Sequence, residues 1–184
     1  SPAGSPAATA TWQLGAMATA ANPHAVDAAL AMLEQGGHAV DAAIAAHAVL
    51  GLVEPQSSGL GGGGFLLVYE RSENRLRFFD GRESAPAGAT VDMFMDGGEV
   101  MDFFTARQSG QAIGVPGAVA LYKSAHDQHG RLTWASLFEP AISLATDGFI
   151  VSARLAGFVA ISSGFRLAAD RGSTDSLYPG SEPL

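Results

Sequence analysis

Between Asn22 and Val53 polar residues are sparse, and two glycines divide the apolar run into halves. The stretch "NPHAVDAALAMLEQGG" predicts a helix. Asn22 suits its N-cap, Pro23 its first helical position, and Gly36 and Gly37 a left-handed stop at its C-terminus. A second helix opens at once, because "HAVDAAL" at 24–30 returns as "HAVDAAI" at 38–44. Two copies make an Ala-rich helical hairpin with close backbone approach rather than a solenoid. Most faces of the second helix are apolar, so it is expected to be buried. Upstream, "LGAMATA" (Leu14–Ala20) predicts a short buried strand.

The period then changes. "FLLVYE" at 65–70 is apolar, aromatic and bounded by glycine, and "RLRFFDGRE" at 75–83 partly alternates. With "RSEN" as the turn they predict a β-hairpin. Residues 85–112 carry no clear period and are expected to be irregular, anchored by Met93, Phe94, Phe103 and Phe104. "GVPG" at 114–117 breaks the chain before a helix over Ala118–Gln128, which Gly130 ends. Thr133 caps "WASLFEPAISLATDG", where Pro140 is expected to kink or split the helix. Ser152 caps a last helix to about Ile161, and the final fifteen residues are expected to fray. No linker divides the chain. Residues 1–13 are expected to be a flexible tail and 14–184 part of a single domain.

Composition narrows the function. The 184 residues are 47% hydrophobic and 15% charged, which suits one packed domain. A net charge of -8, with no Lys/Arg cluster, argues against a nucleic-acid partner. The absence of cysteine excludes disulfides, thiolate zinc sites and a cysteine nucleophile. No stretch is long and apolar enough to span a membrane; the best, Ala39–Val53, is short and holds Asp41 and His47. "SPAGSPAATA" lacks a basic and an apolar region, so it reads as a mature N-terminus or a loose tail rather than a signal peptide.

Gly59, Gly61 and Gly64 match G-x-G-x-x-G. A dinucleotide fingerprint needs a strand before the glycines and a helix after them. Here the order is reversed, and no lysine makes a P-loop. The alternative is steric: glycines here permit positive φ, close approach of other backbone, or a small anion site lined by N–H groups.

Four segments in fixed order, "GGHAVDAAIAAHAVLGLVEPQSSGLGGGGFLLVYE", "DGRESAPAGA", "GQAIGVPGAVALY" and "EPAISLATDGFIVS", resemble the N-terminal part of the large subunit of the gamma-glutamyltransferase family. The resemblance runs from about Leu14 to Leu155. It implies an α+β fold, the four-layer αββα sandwich of N-terminal-nucleophile hydrolases, of which this chain is one part. It further implies a precursor that cuts itself, with the new N-terminal threonine of a small subunit as nucleophile. That enzyme moves a γ-glutamyl group from glutathione or a related amide to water or an amino acid, with no cofactor and no metal. An acylase of the same family acting on glutaryl-cephalosporins is the nearest alternative, and an inert fragment or binding module is a further one. No threonine here begins a small-subunit-like "TTH", so the chain alone is expected to be inert. Relatives of this kind from bacteria are typically exported, which implies a periplasmic or secreted location.

The resemblance implies that Arg82, in "DGRE", binds the α-carboxylate of the glutamyl donor. A guanidinium fork matches a carboxylate in two places at once. Read without the resemblance, Arg82 pairs with Glu83 or Asp80 at a strand end. Ser1 has the residue type of an N-terminal nucleophile, but Pro2 and a low-complexity tail follow it. Ser57 and Ser58 lie outside any G-x-S-x-G elbow and are expected to bond backbone in a turn. His126 and His129 sit three apart at a helix end, without H-E-x-x-H, and are expected to form a solvated terminus rather than a zinc site. His24, His38 and His47 are expected at helix starts or in the core. Glu54 precedes Pro55 and is expected to cap backbone near the glycines.

Overall fold

The structure, a computed structural model, describes residues 15–162. Among these, the chain forms two compact units. One is built from the segment up to Gly59 and from His129 onward, the other from Leu60–Gln128.

The first unit rests on a helical hairpin of α1 (Pro23–Glu34) and α2 (Ala39–Val53). Asn22 caps α1, its Oδ1 accepting from His24 N at 3.1 Å, with Pro23 behind it as the sequence predicts. At the other end Gly36 adopts φ 83°. Gly37 N then donates to Met32 O (2.9 Å) and Gly36 N to Leu33 O (3.0 Å), the paired bonds of a Schellman stop. His38 caps α2: its Nδ1 accepts from Val40 N (3.2 Å), and Asp41 Oδ2 accepts from His38 N (2.7 Å). Ala25, Ala28 and Ala29 of α1 and Val40, Ile44, Ala45 and Val49 of α2 are all buried where the two helices pack together. The remaining elements of this unit are a 3-10 turn (Ala135–Phe138), α5 (Glu139–Asp147) and α6 (Ala153–Ser162). Leu137 is fully buried, and Leu155 and Val159 bury one side of α6 against Val151.

The second unit holds the hairpin of β1 (Gly64–Glu70) and β2 (Arg75–Gly81), antiparallel in register from Gly64 opposite Gly81 to Glu70 opposite Arg75. Asn74 closes the turn at φ 48°, a conformation asparagine tolerates well. Then follow β3 (Met95–Asp96), β4 (Glu99–Val100), α3 (Phe103–Gln108), a 3-10 turn (Gly110–Ala112) and α4 (Ala118–His129). Ala118, Leu121 and Ala125 form the buried stripe of α4.

Several expectations change. Of Leu14–Ala20, Leu14 lies outside the described residues; Ala16 makes only an isolated bridge and the rest is irregular, its exposure alternating residue by residue. Residues 85–112 are more ordered than their lack of period suggests. Gly97 (φ 59°) and Gly98 (φ 88°) make the tight turn of a small hairpin. Asp102 Oδ1 caps α3 by accepting from Phe104 N and Thr105 N, both at 3.1 Å. Phe103 and Phe104 are not buried anchors; they stack edge to face on each other, 5.6 Å apart, and are exposed. Pro140 splits its helix: the 3-10 turn ends at Phe138 and α5 restarts with the proline in its first turn, where no N–H is required. The tail, Ser1 and the final segment lie outside the described residues.

Candidate functional site

The end of β2 is where glycine is used for contact. A Cβ at Gly63 would lie 2.4 Å from Gly81 O and 2.8 Å from Glu83 N. One at Gly81 would lie 2.4 Å from Leu121 Cβ, and one at Gly117 2.3 Å from Gly81 O. One at Gly114 would lie 2.8 Å from Glu83 Cβ. Four glycines thus let two loops and a helix start close on the segment Gly81–Ser84. Backbone bonds fasten it: Val115 N donates to Ser84 O (2.9 Å), and Gly117 N and Ala118 N both donate to Gly62 O (3.1 and 3.0 Å). The opening of α4 therefore satisfies its first N–H groups on the glycine loop.

Gly59, Gly61 and Gly64, which make up the G-x-G-x-x-G match, meet nothing within 4 Å, and no glycine from 59 to 64 takes positive φ. The steric demand falls on Gly63, outside that pattern. Of the expectations for this loop, positive φ is not realised and close approach is.

Arg82 projects from this fixed segment. Its N–H donates to Asp80 Oδ1 (2.9 Å), and its guanidinium Nη1 is 3.0 Å from Glu83 Oε2. The side chain is 56% exposed, so the fork is partly engaged and still open to solvent. It lines a concave pocket of about 430 Å³ together with Glu83, Ser84, Met93, Phe94 and Ile113. The site thus sets a cation beside a carboxylate, next to an apolar wall. The strand-end pairing expected without the resemblance is present, and it leaves the arginine at the pocket.

In the other unit, Glu54 is more than a cap. It is the C-cap residue of α2, and the main-chain Ser57 N and Ser58 N donate to its carbonyl at 3.0 and 3.1 Å, while the Ser57 hydroxyl accepts from Arg154 Nη2 at 3.2 Å rather than bonding backbone. The residue is 1% exposed. Its carboxylate accepts from Asn22 Nδ2 (3.0 Å), Gln56 Nε2 (2.6 Å) and Ser152 Oγ (2.8 Å), with Arg154 Nε at 4.0 Å. Burial alone would push the carboxyl up. The donors from Asn22, Gln56 and Ser152 and the charge of Arg154 outweigh it, and the pKa lies below the ordinary 4.5. Asp41 is equally buried and accepts from Arg131 N at 2.9 Å, tying α2 to the segment after α4. Sequence reasoning expected Glu54 to cap backbone near the glycines and missed that its carboxylate gathers side-chain donors; the signal available was an acidic residue closing an otherwise apolar helix. His126 and His129 are half-buried rather than solvated, and His129 stacks on His38 with ring centroids 5.5 Å apart. His47 is half-buried in α2, and burial lowers its pKa from 6.5.

The chain also resembles known proteins in sequence and in fold. The family model described as Gamma-glutamyltranspeptidase matches residues 25–184. A glutathione hydrolase proenzyme of Bacillus subtilis (strain 168) is 38% identical over 169 residues, covering 91% of this chain and 28% of the relative. The crystal structure of Helicobacter pylori gamma-glutamyltranspeptidase superposes with a TM-score of 0.87 at 30% identity, over 95% of this chain and 50% of that one. A cephalosporin acylase from Bacillus halodurans superposes with a TM-score of 0.70 at 27% identity, over 86% of this chain and 30% of that one. The class these likenesses define is the α+β fold of N-terminal-nucleophile hydrolases, of which this chain is one part. The chain belongs to the gamma-glutamyltranspeptidase family. It spans about a quarter of the curated relative and half of the first solved one.

Proposed function

We propose that this chain is the N-terminal portion of the large subunit of a γ-glutamyltransferase or glutathione hydrolase. In this reading residues 14–184 belong to a single domain of that enzyme. The γ-glutamyl group of glutathione or a related amide passes through an acyl-enzyme to water or an amino acid. The acylated hydroxyl belongs to the N-terminal threonine of a second chain, whose free amine serves as its general base. Arg82 binds the donor's carboxylate. The observation that carries this reading is the position of Arg82: an accessible guanidinium on a glycine-clamped strand end, at a pocket, in a chain of this family.

The test is Arg82→Lys in the chain combined with its catalytic partner. A lysine keeps the charge and loses the fork. KM for a γ-glutamyl anilide should rise by roughly 30- to 900-fold, the equivalent of ~2–4 kcal/mol. The kcat should change far less, because the contact is made equally in ground and transition states. A KM within twofold of the parent removes Arg82 from the site.

A glutaryl acylase is the second reading, favoured by the superposition on the cephalosporin acylase. Arg82 would grip a terminal carboxylate in either case. The two part on substrate: γ-glutamyl and glutaryl anilides offered in parallel should give turnover of the first and not the second. Export to the periplasm or medium is part of the same proposal, and fractionation of the source cells for γ-glutamyl transfer activity checks it.

A further inference from the structure

Arg82 lies just past the end of a ladder, between two fastened points. The β1–β2 pairing stops at Gly64 opposite Gly81. The chain is next tied at Ser84, whose carbonyl accepts from Val115 N at 2.9 Å and whose N–H donates to Val115 O at 3.4 Å. The step between them begins with a glycine that the packing requires: a Cβ on Gly81 would lie 2.4 Å from Leu121 Cβ. Glycine restricts its own dihedrals less than any other residue. The residue that must aim a guanidinium therefore follows the most permissive kind of backbone. What holds it is a side chain. The Arg82 N–H donates to Asp80 Oδ1 at 2.9 Å, so Asp80 closes an Asx turn over Gly81 onto the residue two further on.

Asp80 is out of place by the pattern of its strand. Leu76, Phe78 and Asp80 alternate onto one face, so a carboxylate stands where the apolar row would continue. Arg82, Glu83 and Ser84 line the pocket, and Asp80 does not. The guanidinium has a carboxylate of its own, with Nη1 3.0 Å from Glu83 Oε2. The two acids of "DGRE" thus divide: Glu83 faces the charge of Arg82 and Asp80 faces its backbone. We propose that Asp80 is a positioning residue for Arg82, its carboxylate setting the backbone from which the guanidinium reaches the pocket. This rests on the assignment of Arg82 as the group that binds the donor's carboxylate. A fork oriented before the donor arrives loses less of its binding free energy to ordering.

Charge and geometry predict opposite signs at Asp80. Removing a negative charge near Arg82 favours an anionic donor and lowers KM. Losing the turn loosens the fork and raises KM. Asp80→Asn drops the charge and keeps an Oδ1 acceptor; Asp80→Ala drops both. In the full enzyme, with a γ-glutamyl anilide, Asp80→Ala should raise KM roughly 3- to 10-fold, with kcat changed by less than about twofold. Asp80→Asn should bring KM back to within about twofold of the parent or below it. Asp80→Ser, whose hydroxyl makes the same turn more weakly, should fall between them. On an Arg82→Lys background Asp80→Ala should add less than about twofold, because lysine has no fork to aim. A merely structural role would lower the active fraction, and hence kcat, at constant KM. That outcome, a KM for Asp80→Ala within twofold of the parent, an equal rise in Asp80→Asn, or a full further rise on the Arg82→Lys background would each overturn the proposal. If Asp80→Ala does not fold, a higher KM in Asp80→Ser than in Asp80→Asn supports the turn, and equal values overturn it. Arg82→Lys separates the two readings. A raised KM there with an unmoved one in Asp80→Ala ends the role of Asp80 and leaves Arg82 in the site. An unmoved KM in Arg82→Lys removes Arg82, and the role of Asp80 with it.

Discussion

Which glycine matters is decided by what surrounds it. Gly63 and Gly61 are two residues apart in one run, yet only Gly63 has backbone at 2.4 Å from where a Cβ would sit. Gly63→Ala should therefore cost ~1–3 kcal/mol through forced displacement of the Gly81 carbonyl. Gly61→Ala, with open space and no positive φ, should be near neutral; urea midpoints of the two variants compare them directly. Glu54 makes a second test of the same kind. Removing its side chain leaves the Asn22, Gln56 and Ser152 donors without their shared acceptor in a buried place. Glu54→Ala should destabilise the helical unit by ~3 kcal/mol, read from chemical denaturation.

Among the elements, helix ends are the most legible. Residue type and position alone assign Asn22, Thr133 and Ser152 as caps, and each bonds the backbone ahead of it: His24 N at 3.1 Å, Ser136 N at 3.4 Å and Leu155 N at 3.0 Å. Capping is local chemistry, so four or five residues suffice to specify it. Gly36 belongs to the same group, and its φ of 83° predicts that Gly36→Ala lowers the melting temperature by the equivalent of ~1 kcal/mol. The β3–β4 hairpin is not legible because two-residue strands are shorter than any alternation that could announce them. Its glycines are the available sign. The strand expected at Leu14–Ala20 is reduced to a bridge at Ala16 for a different reason: apolar composition is local, but a ladder needs backbone partners along its whole length, which composition does not announce.

Taken over the full fold, acid should loosen the helical unit first. The Glu54 carboxyl titrates below 4.5 when folded, so its contribution is complete above 4.5 and is lost as pH falls through the folded value. Half-buried His47 titrates below 6.5 and folds better neutral, so its contribution is complete above 6.5 and also falls with pH. The two add in sign. Stability should decline from about pH 7 downward and more steeply below about pH 4.5. Glu54→Gln should flatten the steeper limb while leaving the His47 limb. Melting temperatures against pH for both chains decide it, and a parallel shift with no change in shape would count against Glu54.

Unlike α3 and its Asp102 cap, helices α1, α2, α4, α5 and α6, the caps Asn22 and Ser152, the β1–β2 hairpin and, through several motifs in order, the family are readable from the order of residues. Each of these rests on contacts within a few residues or on a pattern of residue types. Three-dimensional packing was needed to show which glycines are sterically required, that Glu54 joins the ends of three distant segments, and that Arg82 stands open beside Glu83 at a pocket. Those depend on residues up to about a hundred positions apart meeting in space, and neither periodicity nor composition carries that distance.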